Sequence, residues 1–115
     1  MSEREVDFAE CVRQALASLP RELADAVSNV AIEIEEEDPA HPGRLGLYHG
    51  VPLTRRTSAY VFVLPDRITI YRRPLERLYG YDSELLEERI RHTVVHEIAH
   101  HFGISDERLR ELGAY

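Results

Sequence analysis

The sequence predicts an α+β fold in which one long helix packs on a small sheet of about three strands. Two kinds of periodicity lead to this prediction. Apolar residues recur at helical spacing over residues 82–102, and they alternate with polar residues at 30–35 and again at 67–71. The length of 115 residues, 43% of them apolar, fits a single domain spanning residues 1–115 with one small core.

The N-terminal part predicts a helix, a strand and a long connection. Between residues 5 and 19 five apolar residues recur at helical spacing, and Pro20 ends the pattern. Residues 30–35 alternate between apolar and polar side chains, which indicates a half-buried strand. Residues 38–57 contain three prolines and three glycines and show no periodicity. A connection of this length is unusual in a small domain, so we expect it to be functional or to contain structure that the pattern does not reveal.

Residues 55–77 combine a predicted hairpin with an excess of arginine. The apolar run 60–64 and the alternating run 67–71 are separated by a turn that Pro65 favours, which predicts two paired strands. The same segment has six arginines and only two acidic residues. We expect these arginines to form a solvated face that pairs with the acids of residues 33–38; a patch for an anionic substrate or RNA is the alternative.

The longest helix is predicted to begin with Asp82 or Ser83 as its N-cap and to run to about Phe102. Gly103 is expected to end it in the left-handed conformation. The apolar side chains at positions i and i+4 form a stripe that faces the core: Leu86, Ile90, Val94, Ile98 and Phe102.

Composition excludes several classes of protein. The chain has 14 basic and 21 acidic residues, a net charge of −7, which argues against a nucleic-acid partner. The single cysteine, Cys11, cannot form an intrachain disulfide. No stretch approaches the ~18 apolar residues of a membrane span, and the acidic start of the sequence does not resemble a secretion signal. We therefore expect a cytoplasmic protein that does not associate with membranes.

The end of the long helix carries the pattern H-E-x-x-H, from His96 to His100. At 100° per residue the two histidines lie about 40° apart on the helix, so both imidazoles can reach one ion. They lie opposite the core stripe, toward a cleft, with Glu97 beside them. From the composition, H-E-x-x-H is expected about 0.04 times in such a chain, and about 0.0002 times with a glycine and an Asp or His at the extended spacing. The extended pattern therefore indicates a metal site much more strongly than a solvated helix face.

Asp106 is the candidate third ligand. Gly103 allows the chain to reverse, which would bring Asp106 back to the ion held by the two histidines. Two histidines, one carboxylate and an open fourth position are typical of a catalytic zinc site. The alternative is purely structural: Ser105 is expected to cap a short helix ending near Leu112, and an acid after the cap is favoured by the helix dipole.

The remaining histidines are weaker candidates. His101 lies beside the core stripe, so we expect it to be packed or hydrogen-bonded inside the protein. His92 continues the helical ladder below His96 and is either a spare ligand, a group that supports the ligands, or a surface residue. His41 and His49 fall in the long connection, where the sequence does not indicate their direction.

The extended motif resembles H-E-x-x-H-x-x-G-x-x-H/D of the metzincin metallopeptidases. Residues 96–113, together with 45–54 (LGLYHGVPLT) and 64–71 (LPDRITIY), resemble more closely a family of small bacterial proteins described as minimal zincin-like metallopeptidases. The resemblance covers about residues 30–113. It implies a minimal zincin-like fold with an active-site helix, zinc as cofactor and these site residues: His96, His100 and Asp106 as metal ligands and Glu97 as general base.

The predicted function is therefore zinc-dependent hydrolysis of peptide bonds, with peptides or proteins as substrates. The chain lacks the methionine turn of metzincins, because its only methionine is Met1. A zinc-binding regulatory or interaction module without protease activity is thus an alternative, and so is a different zinc hydrolase, for example one acting on RNA. An extended peptide is expected to lie along a sheet edge formed by one strand of the hairpin, in contact with residues 57–63, while residues 47–53 of the long connection contact it from the opposite wall of the cleft. The candidate oxyanion donors are Tyr48, Tyr71, Tyr79 and Tyr115.

Overall fold

The computed structural model describes residues 5–27, 30–49 and 67–111, apart from the side chains of residues 22, 25, 26, 106 and 109. Within these residues the elements follow in the order α1 (Phe8–Ala17), α2 (Arg21–Ala26), β1 (Ala31–Glu35), β2 (Gly46–His49), β3 (Arg67–Tyr71), α3 (Arg72–Tyr79), α4 (Ser83–Phe102) and α5 (Asp106–Glu111).

The three strands form one mixed sheet in the order β1-β3-β2. β3 lies in the centre, parallel to β1, with Ile32 opposite Ile68, and antiparallel to β2, with Gly46 opposite Ile70. The predicted α+β class and the number of strands are thus confirmed. The predicted pairing of residues 60–64 with 67–71 is wrong, because β1 and β2 already occupy both edges of β3. Residues 60–64 themselves lie outside the described part of the chain.

β2 lies inside the segment that showed no periodicity. It has only four residues, Gly46–His49, between stretches rich in glycine and proline, so no alternation can be recognised over its length. Pairing with β3 makes it a strand, and this partner is about twenty residues away in the sequence. The long connection therefore contains structure, which was one of the two expectations for it.

α4 is the helix that contacts most of the other described elements. Its N-cap is Asp82, whose carboxylate accepts hydrogen bonds from the backbone N–H groups of Glu84 and Leu85. Its C-cap is Gly103, in the left-handed conformation with φ of 67°. The helix contacts α1, α3 and the face of the sheet formed by β2 and β3. The predicted stripe is confirmed: Leu86, Ile90, Val94 and Ile98 are buried, and Phe102 packs against the same core.

α3 begins directly after β3 and was not predicted, nor was the short α2. Pro74 is tolerated in α3 because it lies in the first turn, where the backbone N–H has no partner within the helix. Exposed ion pairs then connect α3 and β3 to β1 and the residues after it: Arg67 with Glu33, Arg72 and Arg73 with Glu36, and Arg77 with Glu37. These contacts confirm, for the four arginines that the structure describes, the expected pairing with the acids of residues 33–38.

None of the helices in the described part of the chain is long and apolar enough to cross a membrane.

Candidate metal centre

The last two turns of α4 bring His96 and His100 together. Their ring centroids are 4.7 Å apart and the ring planes are inclined by 63°. Spacing along a helix alone predicts this proximity, since residues four apart lie one turn above each other. The position also suits a cation electrostatically, because the partial negative charge of a helix is at its C-terminal end.

The two rings differ in their exposure. The side chain of His100 is 48% exposed. His96 is half-buried, and its Nδ1 atom is fully buried. A metal ion approaching His96 from solvent would therefore meet Nε2, the other nitrogen of the ring. The arrangement agrees with the prediction that these histidines lie on the side of α4 that faces away from the core stripe.

Glu97 lies on the same turn but is almost entirely buried, with 6% of its surface exposed. Its Oε1 atom is 3.1 Å from Nδ1 of His100. A proton on Nδ1 that is donated to this carboxylate leaves the lone pair of Nε2 available for a metal ion, the usual relation between a metal-binding histidine and its supporting carboxylate. The chemistry of the paired imidazoles thus fits a zinc ion, which prefers nitrogen, sulfur and carboxylate donors.

Asp106 is the first residue of α5 and follows the reversal of the chain at Gly103. The cap of α5 is as predicted, since Oγ of Ser105 accepts a hydrogen bond from the backbone N–H of Arg108 at 3.2 Å. The side chain of Asp106 is not described, and among the described side chains no group of three His, Cys, Asp or Glu is arranged around a common ion position. Ligation by Asp106 therefore stays a prediction, as does its purely structural alternative.

β2 approaches α4 directly above Glu97, at a glycine. A Cβ atom at Gly46 would lie 2.9 Å from Cγ2 of Thr93 and 3.1 Å from Cγ of Glu97. Sequence reasoning missed this contact, because neither the strand nor its distance from the helix can be recognised in residues 38–57. The available signal was the short run of Leu45, Gly46, Leu47 and Tyr48, in which a glycine interrupts residues suited to a strand.

The other described histidines are distributed as follows. His101 is 3% exposed and packs edge-on against the rings of Tyr48 and Phe102, which confirms the expected packed role. His92 stacks on His96, with ring centroids 6.2 Å apart and planes inclined by 13°. His49 is bonded through Nε2 to Oγ1 of Thr69, 3.1 Å away. Because side chains alternate along a strand, His49 and Gly46 face opposite sides of the sheet, so His49 points away from α4. His41 is exposed.

The tyrosines can be separated in the same way. Tyr48 shares a sheet face with Gly46 and contacts His101 on α4. Tyr71 follows Ile70 on β3 and therefore faces the other side, where burial and then the Asp38 carboxylate raise the pKa of its phenol. Tyr79 lies under the guanidinium of Arg89, 5.6 Å from the ring centroid. Tyr115 is outside the described residues. Of the three candidate oxyanion donors that the structure describes, Tyr48 alone lies on the sheet face that packs on α4.

These features define a class: an α+β protein in which a long helix, packed on a three-stranded mixed sheet, presents two histidines one turn apart with a buried glutamate between them. Residues 23–114, most of the chain, match the family of zincin-like metallopeptidases, and the chain belongs to this family. A search among curated proteins finds no match. The resemblance stated from the motifs is therefore confirmed at the level of the family.

Proposed function

We propose that this protein is a zinc-dependent peptidase. We also propose that it works in the cytoplasm, because its single cysteine cannot form an intrachain disulfide and disulfides are rare in that compartment. The observation that carries the proposal is the contact between the paired histidines and the buried Glu97 on α4, in a chain of the zincin-like metallopeptidase family. His96 and His100 would hold the zinc ion together with Asp106. A bound zinc ion would supply Lewis acidity, polarising the scissile carbonyl and lowering the pKa of a coordinated water toward ~7.

Glu97 is the proposed general base. Its carboxylate would take a proton from the attacking water and deliver it to the nitrogen of the leaving amine. Its burial limits contact with bulk water. Nδ1 of His100 and the metal-facing Nε2 point to opposite sides of the ring, so Glu97 would turn its carboxylate from Nδ1 toward the attacking water in order to act as base.

β2 is the proposed platform for the substrate. It is the strand that lies against Glu97, through Gly46, and it forms the end of the described sheet on that side. An extended peptide that runs beside it would be held by backbone hydrogen bonds with little side-chain recognition. Residues 47–49 were expected to form the opposite wall of the cleft and in this proposal form the edge itself, because the hairpin strand 67–71 lies in the centre of the sheet. Residues 57–63 lie outside the described chain.

The ion pairs of the arginine-rich segment weigh against an RNA substrate. Arg67, Arg72, Arg73 and Arg77 each lie within 4.0 Å of a glutamate, so their charge is already compensated. A peptide is therefore the better substrate class for the proposed zinc site.

Elemental analysis of the protein purified without added metal tests the cofactor, with one zinc per chain as the expected result. Hydrolysis of an unfolded protein, with and without a chelator, tests the reaction. Activity that the chelator abolishes and zinc restores supports the proposal. Zinc at full stoichiometry without hydrolysis of any peptide in a broad library would instead support a zinc-binding module.

A further inference from the structure

Gly46 of β2 lies close against the helix that carries Glu97. The space that a Cβ atom would occupy is limited by three groups from two elements: Cγ2 of Thr93 at 2.9 Å, Cγ of Glu97 at 3.1 Å and the carbonyl oxygen of Thr69 at 3.3 Å. Real Cβ contacts are essentially never as short as the first of these distances. Any larger residue at position 46 must therefore move β2 or the helix side chains.

The reason for glycine here is the close approach, not the backbone conformation. Among the described residues, Gly103 has the only positive φ. The backbone at Gly46 is that of an ordinary strand, which alanine can adopt. A substitution at this position consequently acts through the neighbouring atoms alone.

Those neighbours are held in place. Thr93 is 5% exposed, and its hydroxyl donates a hydrogen bond of 2.7 Å to the carbonyl of Arg89, which determines where the methyl group lies. The carboxylate end of Glu97 is held by Nδ1 of His100. The methylene of Glu97 is thus confined between the backbone of Gly46 on one side and its own helix on the other.

We propose that Gly46 is a positioning residue, which sets the place of the Glu97 carboxylate by leaving its methylene against the bare backbone of β2. This rests on the proposed function of Glu97 as general base. The same contact determines the distance between β2, the strand proposed to hold the substrate, and the base that acts on it. The absence of a side chain at position 46 therefore sets both the place of the Glu97 carboxylate and its distance from the substrate.

The test compares Gly46→Ala with Gly43→Ala. Gly43 has nothing within 4 Å of the position of a Cβ atom, so this variant controls for the glycine-to-alanine change itself. For Gly46→Ala we expect kcat on a peptide substrate to fall about tenfold, since displacements below 1 Å already misalign a catalytic group. Zinc stoichiometry should stay at the wild-type value and KM should change little. Gly43→Ala should leave all three unchanged.

Thr93→Ser separates positioning from packing. Serine keeps the hydroxyl but lacks the methyl group that a Cβ atom at position 46 would meet first. Gly46→Ala is expected to lower the Tm, because its Cβ atom would lie 2.9 Å from Cγ2 of Thr93. In the Thr93→Ser background the same substitution should lower the Tm much less, since that methyl group is absent. We expect kcat to stay low, because the contact with Cγ of Glu97 remains. Recovery of kcat in parallel with Tm would show that Gly46 serves packing only and would overturn the proposal.

A double-mutant cycle in which the Tm is measured provides a readout that does not depend on activity. In metal-free protein, Gly46→Ala should lower the Tm less in a Glu97→Ala background than in the wild type, because the methylene it displaces is gone. Equal losses in both backgrounds would show that the two residues are not coupled and would also overturn the proposal.

Failure of the proposed function looks different. A wild-type protein that hydrolyses no peptide overturns the proposed function, and the positioning role for Gly46 with it. An active wild type together with Gly46→Ala that has the kcat of Gly43→Ala overturns this inference alone.

Discussion

Two regions of this protein concentrate ionisable side chains and place them in opposite environments. On the surface where α3 meets the end of β1, exposed arginines and glutamates pair with each other, as Arg72 does with Glu36 and Glu76. At the end of α4, Glu97 is 6% exposed and lies against a histidine. In the first region the arginines and glutamates compensate each other's charge at the solvent-exposed surface, where such ion pairs contribute little to stability. The second keeps a carboxylate in a buried place, which is costly for folding and is typical of functional sites.

The largest difference between the regions should be in metal binding. His96→Ala or His100→Ala is expected to reduce zinc from about one ion per chain to nearly none, because each removes one of the few ligands. Asp106→Ala should also lower zinc content, and His92→Ala should leave it unchanged. Elemental analysis after dialysis measures this. Full zinc affinity in Asp106→Ala would reject Asp106 as the third ligand, and His92 or His101 would be tested next.

The second largest effect should be on the rate of peptide hydrolysis, which depends on the buried Glu97 and not on exposed glutamates. Glu97→Gln is expected to retain zinc and fold but to lose at least ~100-fold in peptide hydrolysis, because an amide cannot accept the proton of water. Glu88→Gln is the matched control, since Glu88 is exposed on the same helix. Initial rates on one peptide, with zinc content measured in the same samples, give the comparison. Comparable rates for wild type and Glu97→Gln would remove Glu97 from the role of base.

The reversal after α4 should have a moderate effect on stability. Gly103 has φ of 67°, so Gly103→Ala places a side chain in the left-handed region at a cost of about 1 kcal/mol. Urea unfolding measures this cost, with Gly43→Ala as a control without strain. If α5 carries the third ligand, the same variant also weakens zinc binding; unchanged zinc affinity would separate the turn from the metal site.

The smallest effect is expected on the charged surface, and it depends on pH. The hydrogen bond from Arg72 lowers the pKa of Glu36 below its usual 4.5. In acid the unfolded chain therefore takes up this proton first, so the contribution of Glu36 is complete above pH 4.5 and is lost as the pH falls through the lowered pKa. In urea unfolding, the difference between wild type and Glu36→Gln should be slight at pH 7 and should decrease as the pH is lowered below 4.5. The difference should shrink in high salt, and a difference that persists in acid would contradict this account.

Interactions within a few residues were predictable from the sequence. The cap at Asp82, the helix end at Gly103, the cap at Ser105 and the placement of His96 over His100 depend on contacts at most four residues apart. The core stripe of α4 was predictable for the same reason, and so was β1, whose alternation extends over the whole strand. In each case a helix or a strand imposes one geometry on a local pattern of residue types.

Only the tertiary structure decided which strands pair and what lies above Glu97. β3 pairs along one edge with β1, 36 residues earlier, and along the other with β2, the strand inside the long connection. Both edges of β3 are therefore occupied, so the run that precedes it is not its partner. The four residues of β2 have no recognisable pattern of their own and become a strand through β3. The contact of Gly46 with Glu97 joins residues 51 positions apart, and it exists because sheet and helix lie too close together at this position to leave room for a side chain on Gly46. Local periodicity thus determined the helix that carries the two candidate histidine ligands, whereas close packing between distant segments determined the surroundings in which they would act.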